Sequence, residues 1–150
     1  MTAARTAPIA YRDEPPDAAV FRALYDSTGW GRRPTQDFAQ ALAGSWAVCT
    51  AWQGERPVGI ARVISDGCLH AYINEMIVLP EAQGQGVGRE LLLRLLARCQ
   101  AAGIRDIQLF AAAGKSGFYR GLGFAPRPDD APGMQYRGSL RPQDGGPASQ

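Results

Sequence analysis

Hydrophobic positions recur along this chain with two periods, and the change from one to the other divides it. Val20, Phe21, Leu24 and Tyr25 fall at helical spacing behind Asp17, a residue type that caps helix starts, and Gly29 is the expected stop. Thr35 offers a second cap, for a helix over residues 36–43 with Gly44 beyond it. A short strand over residues 9–12 precedes both. From Ser45 the pattern changes to that of strands: residues 45–53 and 58–65 are rich in Trp, Val and Ile, and Gln53-Gly54-Glu55-Arg56-Pro57 links them as a hairpin. Asp66-Gly67 is the next turn and leads into residues 69–79, completing an antiparallel meander.

A long helix is expected over residues 81–99, with Leu92, Leu95, Leu96 and Cys99 on one side and Gly103 closing it. A strand over residues 104–111 directly after that helix implies a parallel crossover. A helix over residues 115–122 and a last strand, near Phe124 or over residues 134–137, follow. The pattern sums to an α+β fold with helices on both faces of one mixed sheet, a single domain over residues 1–138. Residues 139–150, rich in Pro, Gly, Ser and Gln, bury too little apolar surface to offset their ordering entropy, so a disordered tail is expected there.

Composition narrows the function. At 150 residues the chain can bury one sizeable core. A formal charge of +2 with scattered arginines provides no basic face for nucleic acid. Cys49, Cys68 and Cys99 are odd in number, nineteen and thirty-one residues apart, and lack any Cys-x-x-Cys pair, so they read as reduced core thiols of a cytoplasmic protein. His70 is the only histidine and no second ligand accompanies it, which speaks against a metal. Residues 1–10 lack an apolar export core, and Arg94 interrupts the most apolar window, so no membrane association is expected.

The run Gln83-Gly84-Gln85-Gly86-Val87-Gly88-Arg89, between an apolar strand and a helix, carries the most chemistry. Glycines there remove side chains that would keep an anion away, and a helix start offers free N–H groups, so the run suits a phosphate-bearing ligand. A nucleoside-triphosphate loop needs Gly-Lys-Ser/Thr, but Arg89 and Glu90 follow Gly88. A dinucleotide fingerprint needs glycine at its first, third and sixth positions; counted from Gly84 the sixth is Arg89, and from Gly86 it is Leu91.

The spacing Gln-x-x-Gly-x-Gly, met by Gln83, Gly86 and Gly88, resembles the pyrophosphate-binding signature of the GNAT superfamily of acyl-CoA-dependent N-acyltransferases. Phe118-Tyr119-Arg120-Gly121-Leu122-Gly123-Phe124 resembles the family's Phe-Tyr-x-x-x-Gly-Phe ending, and the similarity extends over about residues 47–124. The resemblance implies a sheet whose two central parallel strands splay apart to admit acetyl-CoA, with no metal. It implies that Gln83, Gly84, Gln85, Gly86, Val87, Gly88 and Arg89 hold the pyrophosphate, and that backbone N–H groups of Ile77 and Val78 face the acyl carbonyl. Tyr119 stands at the family's tyrosine position, where it would protonate the departing thiolate. Ala112 replaces an asparagine common in relatives, and Lys115 stands where a small residue is common, so this helix departs from the pattern.

Acyl transfer to an amine needs a neutral nucleophile, and Glu75, alone in an apolar strand segment eight residues before Gln83, is the candidate base. Its other reading is an ion-paired carboxylate, with Arg62 on the neighbouring strand as partner. Tyr25 and Trp30, between the first two helices, are candidates for the acceptor pocket, with Asp26, Arg32 and Arg33 beside them; packing of the first helix onto the sheet is the alternative. Three functions stay open: an N-acetyltransferase for a small-molecule amine, a protein or peptide N-acetyltransferase, and an acyl-CoA sensor without turnover. Homodimer formation is open as well.

Overall fold

The computed structural model describes residues 7–138. Its elements are β1 (Ile9–Arg12), α1 (Ala18–Asp26), α2 (Thr35–Ala43), β2 (Ala47–Gln53), β3 (Arg56–Ser65), β4 (His70–Val78), a 3-10 turn (Pro80–Ala82), α3 (Val87–Ala101), β5 (Asp106–Leu109) and α4 (Ser116–Arg120). Two compact units divide the chain, one ending at Ala112 and the other beginning at Ala113.

In the first unit the sheet runs β1-β2-β3-β4-β5. The first four strands are antiparallel neighbours, whereas β5 lies parallel to β4. Phe21 and Leu24 of α1, Phe38 and Leu42 of α2, and Val48, Ile60 and Ile77 of the sheet form a buried cluster on one face. Val87, Leu91, Leu92, Leu95 and Cys99 are the buried stripe of α3, which packs on the other face. Gly59 of β3 shows how close that approach is: a Cβ there would stand 3.2 Å from Leu91 Cδ1, 3.3 Å from Val87 Cγ1 and 3.2 Å from the Ile77 carbonyl oxygen. Overpacking of this kind costs about 1–3 kcal/mol. Gly59→Val is therefore expected to lower the denaturation midpoint with unchanged slope, and an unchanged midpoint would mean that α3 has slack against the sheet.

Helix ends follow local chemistry. α1 stops at Asp26, before Gly29, because the Ser27 and Thr28 hydroxyls donate to the carbonyls of Leu24 (2.6 Å) and Tyr25 (2.7 Å). Asp17 holds the N-cap position of α1 without a side-chain capping bond. Thr35 is the first residue of α2 rather than its cap, a place taken by Pro34, and its Oγ1 accepts from Arg22 Nη1 at 2.9 Å. α3 ends in a Schellman motif: Gly103 N–H donates to Gln100 O and Ile104 N–H to Cys99 O, each at 3.0 Å, with Gly103 at φ 77°.

Two expectations need correction. The helix expected from residue 81 begins at Val87, because Gly84 and Gly86 adopt φ 76° and 78°, a left-handed conformation no right-handed helix contains. No strand forms near Phe124 or over residues 134–137 among the described residues. Pro126, Pro128 and Pro132 lack the N–H that a ladder needs, and the segment closes on itself through Ala131 N–H to Pro128 O and Arg127 Nε to Ala131 O. The tail expected over residues 139–150 lies outside the described residues.

Candidate functional site

β4 pairs with β5 only from His70 to Ile73, yet it continues to Val78. Beyond Ile73 its far edge has no strand beside it among the described residues. Leu79 N–H donates to Val58 O at 2.8 Å, and alternation from that bond turns the Ile77 amide toward β3 and the Val78 amide toward the open edge. The Val78 carbonyl takes a hydrogen bond from Gln83 Nε2 at 3.0 Å, tying the glycine loop to the strand end. Of the two amides singled out in the sequence, Val78 is the one offered to the open side.

The loop then presents a bare helix start. Gly86 occupies the N-cap position of α3 with no side-chain capping bond, and a Cβ on Gly84 or Gly86 would meet nothing within 4 Å. The first intrahelical acceptor is Gly86 O, which takes Glu90 N–H at 3.0 Å, so the Val87, Gly88 and Arg89 amides precede the helical ladder. Gln85 folds back onto Glu81 O at 3.3 Å, and Arg56 pairs with Glu81. The N–H groups left outside the helical ladder and the helix dipole favour an anion here, and the open space at Gly84 and Gly86 leaves room for a pyrophosphate.

Glu75 lies where the sheet register slips. Ile60 pairs with Ile77 but Arg62 pairs with Asn74, so one residue of β3 opposes two of β4. Glu75 takes φ 46° in this bulge, the only non-glycine positive φ among the described residues, at a cost of about 1–2 kcal/mol. The slip brings Glu75 to the α1/α2 face instead of the core under α3. There its Oε2 lies 3.4 Å from Arg62 Nε, so the ion-paired arrangement raised by the sequence is present.

Beside this pair lies a cavity of about 520 Å³. Phe21, Tyr25 and Phe38 line it, together with Arg33, Asp37 and Gln40. Arg62 and Glu75 form its inner end, with side chains 11% and 20% exposed, whereas the Arg33–Asp37 pair at 2.9 Å lies nearer solvent. The rings stack edge-on outward from the core: Phe21 to Phe38 at 5.0 Å, Phe38 to Tyr25 at 5.2 Å, and Tyr25 to Trp30 at 5.8 Å. Tyr25 lines the cavity, while Trp30, exposed, reaches it only through Tyr25. Asp26 pairs with Arg22 at 3.7 Å. Phe38, Asp37 and Gln40 are additions that sequence reasoning missed, since a helical apolar period marks Phe38 only as core. Burial, and then the Glu75 charge, push the nearby Tyr72 phenol up from its ordinary value.

Other candidates lie elsewhere. His70 Nδ1 meets Asp106 Oδ2 at 2.6 Å where β4 and β5 begin to pair. No group of three or more His, Cys, Asp or Glu suited to a metal occurs among the described residues. Cys68 is exposed, contrary to its expected place in the core, because it sits in a turn where Asp66 Oδ1 accepts its N–H at 2.9 Å. Burial and Asp13 push the Cys49 thiol up to about 12, and burial raises Cys99. Thiol titration of the folded protein near pH 8 should find one fast cysteine, and denaturant should release the other two; three fast thiols would contradict this packing.

In the second unit Lys115 holds the N-cap position of α4. Tyr119 stacks against Phe118 at 5.0 Å and Phe124 at 6.0 Å, and burial raises its phenol.

Comparison with known proteins places this architecture. Residues 44–126 match the acetyltransferase (GNAT) domain. A chloroplastic serotonin N-acetyltransferase of Oryza sativa subsp. japonica is 34% identical over 124 residues, covering 80% of this chain and 62% of that protein. A histone acetyltransferase of Glycine max is 35% identical over 129 residues, covering 79% and 56%. The chain therefore spans little more than half the length of these curated relatives. Among solved structures, a GNAT-family acetyltransferase from Streptococcus pneumoniae TIGR4 matches with a TM-score of 0.78 at 28% identity, over 89% of this chain and 100% of that one. A probable acetyltransferase from meticillin-resistant Staphylococcus aureus, 22% identical, shares the fold with a TM-score of 0.78 over 87% and 99%. The chain belongs to the GNAT acetyltransferase family, and its mixed five-stranded sheet with parallel β4 and β5 is that family's fold.

Proposed function

We infer that this chain is an N-acetyltransferase that moves an acetyl group from acetyl-CoA to the primary amine of a small molecule. The observation that carries the reading is the juxtaposition along β4. Its far end leads into a bare helix start, its open edge offers the Val78 amide, and its bulge presents Glu75 to a cavity that opens to solvent.

Bound acetyl-CoA supplies an acetyl group activated as a thioester. The Gly84–Arg89 backbone amides hold its pyrophosphate, and Gln83 fixes that loop to β4. The Val78 amide is the donor offered to the acyl carbonyl oxygen, where negative charge develops. Glu75 receives the ammonium proton of the acceptor, directly or through one water. That step matters because an alkylammonium of pKa about 10.4 must be deprotonated at a cost of about 4–5 kcal/mol at pH 7. Tyr119 delivers a proton to the departing sulfur; its phenol, raised by burial, stays protonated across neutral pH.

A cavity of this size beside α1 and α2, lined by three rings together with Arg33, Asp37, Gln40, Arg62 and Glu75, has room for a compact amine with an apolar portion. Among the relatives are a serotonin and a histone acetyltransferase, so small amines, amino sugars and lysine peptides belong in one acceptor panel. Free thiol released from acetyl-CoA is the readout: preference for small apolar amines supports the reading, and preference for peptides overturns it. A cytoplasmic location is proposed from the three unpaired cysteines, whereas the rice relative is chloroplastic.

The loop assignment has its own test. Valine at position 86 would be strained at φ 78° and would put a branched side chain in the space left for the anion. Gly86→Val is expected to weaken CoA binding at least about tenfold, or about 1.4 kcal/mol, in a protein that still folds. Unchanged affinity by calorimetry would place the pyrophosphate elsewhere.

A further inference from the structure

Arg62 is the one charged residue among the buried residues described. A guanidinium taken out of water is costly unless it is paired and hydrogen-bonded, and aliphatic Ile60 and Ile64 two residues to either side need no such arrangement. What distinguishes Arg62 is that it joins three elements. From β3 its Nη1 donates to the Ala41 carbonyl in the last turn of α2 at 3.3 Å and to Ser45 Oγ at 3.1 Å. Ser45 Oγ itself donates to Ala41 O at 2.7 Å, closing a small network around that helix end. On its other side Nε lies 3.4 Å from Glu75 Oε2, and the guanidinium lies over the Phe21 ring at 5.9 Å. Neither Arg62 Nε nor Glu75 Oε2 has a hydrogen-bond partner, so the pair is held by charge and packing rather than by a directed bond.

Two unfavourable features, a buried cation and a glutamate at φ 46°, therefore meet in the cavity wall. Each accounts for the other. The bulge brings the carboxylate to the α1/α2 face, and the guanidinium gives that carboxylate a fixed counter-charge there. Through Ala41 and Ser45 the same guanidinium sets the end of α2, whose Gln40 and Ala41 line the cavity.

We propose that Arg62 is a positioning residue of the acceptor site: its charge holds the Glu75 carboxylate at the cavity wall and its hydrogen bonds clamp the end of α2, so that the amine meets Glu75 in one orientation. This role rests on the reading of Glu75 as the group that receives the amine's proton. Arginine is required because its planar fork reaches α2 and Glu75 together, whereas a lysine ammonium is a single point on a flexible stem.

A double-mutant cycle separates positioning from mere packing. Arg62→Lys in the wild-type background should lower kcat/KM for the amine about tenfold, with KM for acetyl-CoA within about twofold, since the α3 loop is untouched. In the Glu75→Gln background the same change should cost less than about threefold, because the group it positions is already gone. Equal losses in both backgrounds, or no loss in either, would overturn the proposal. A readout independent of turnover accompanies it. The Arg62 Nε–H resonance should shift when Glu75 becomes glutamine, and amide exchange at residues 41–46 should quicken in Arg62→Lys. An unmoved resonance would break the link between Arg62 and Glu75. A wild-type protein inactive toward every amine, with the resonance shift present, would overturn the proposed reaction and leave that link standing. If Arg62→Lys does not fold, Arg62→Gln enters the same cycle.

Discussion

Tyr119→Phe is expected to lower turnover about 10²–10⁴-fold, equivalent to roughly 3–5 kcal/mol of transition-state stabilisation, while CoA affinity hardly changes. The substitution removes a hydroxyl and keeps the ring, so the edge-on packing with Phe118 and Phe124 survives. A thiol leaving group has a pKa near ~8.5 and a phenol near ~10, a match that lets the phenol support the departing sulfur without ionising at neutral pH. Burial moves the Tyr119 phenol further up. The protonated form that acts as the acid is therefore present throughout the neutral range and is lost only on the alkaline side. Steady-state kinetics under conditions where chemistry limits the rate provides the check. A fall of less than about threefold would make Tyr119 a packing residue and leave the sulfur to solvent or backbone donors.

The second large effect concerns Glu75. Glu75→Gln should cut kcat/KM about 10²-fold near neutrality and progressively less as pH approaches ~10.4, where the amine carries no surplus proton. Glutamine is close in shape and can occupy the same bulge, but it leaves the buried Arg62 without its counter-charge. A loss of stability is expected alongside the loss of rate, because breaking a buried pair by removing one partner leaves an uncompensated charge. Melting curves recorded in parallel keep the two apart. A rate loss of equal size at every pH would assign Glu75 a positioning role, and a stable, fully active variant would remove it from the site.

How far these roles were legible in the sequence differs by residue. The strands are visible because Trp, Val and Ile concentrate in short runs separated by Gly54 and by Asp66-Gly67, and β1 to β4 fall within about two residues of their expected bounds. The bare helix start was equally legible, since its trace lies in the side chains that are missing: Gly84, Gly86 and Gly88. The same glycines hid where the helix starts, because residues 80–82 are compatible with helix and only the left-handed φ of Gly84 and Gly86 shows that it begins at Val87.

Glu75 stood out as a lone carboxylate in an apolar segment, and Arg62 as a partner for it. Their geometry did not, because the positive φ of Glu75 is imposed by the β3 and β4 registers on either side of the bulge and no local pattern encodes it. The cavity wall was hidden for a related reason. Phe21 and Phe38 belong to different helices, and their meeting at 5.0 Å depends on how α1 and α2 pack, a long-range property that periodicity within one helix does not carry.

Acetyl transfer to a small amine is decided by incubating the protein with acetyl-CoA and the acceptor panel and measuring free thiol and acetylated amine together. The two products are expected in equal amounts for at least one compact apolar amine, with both reduced in the same proportion by Glu75→Gln. CoA that binds tightly without either product forming from any acceptor would contradict it.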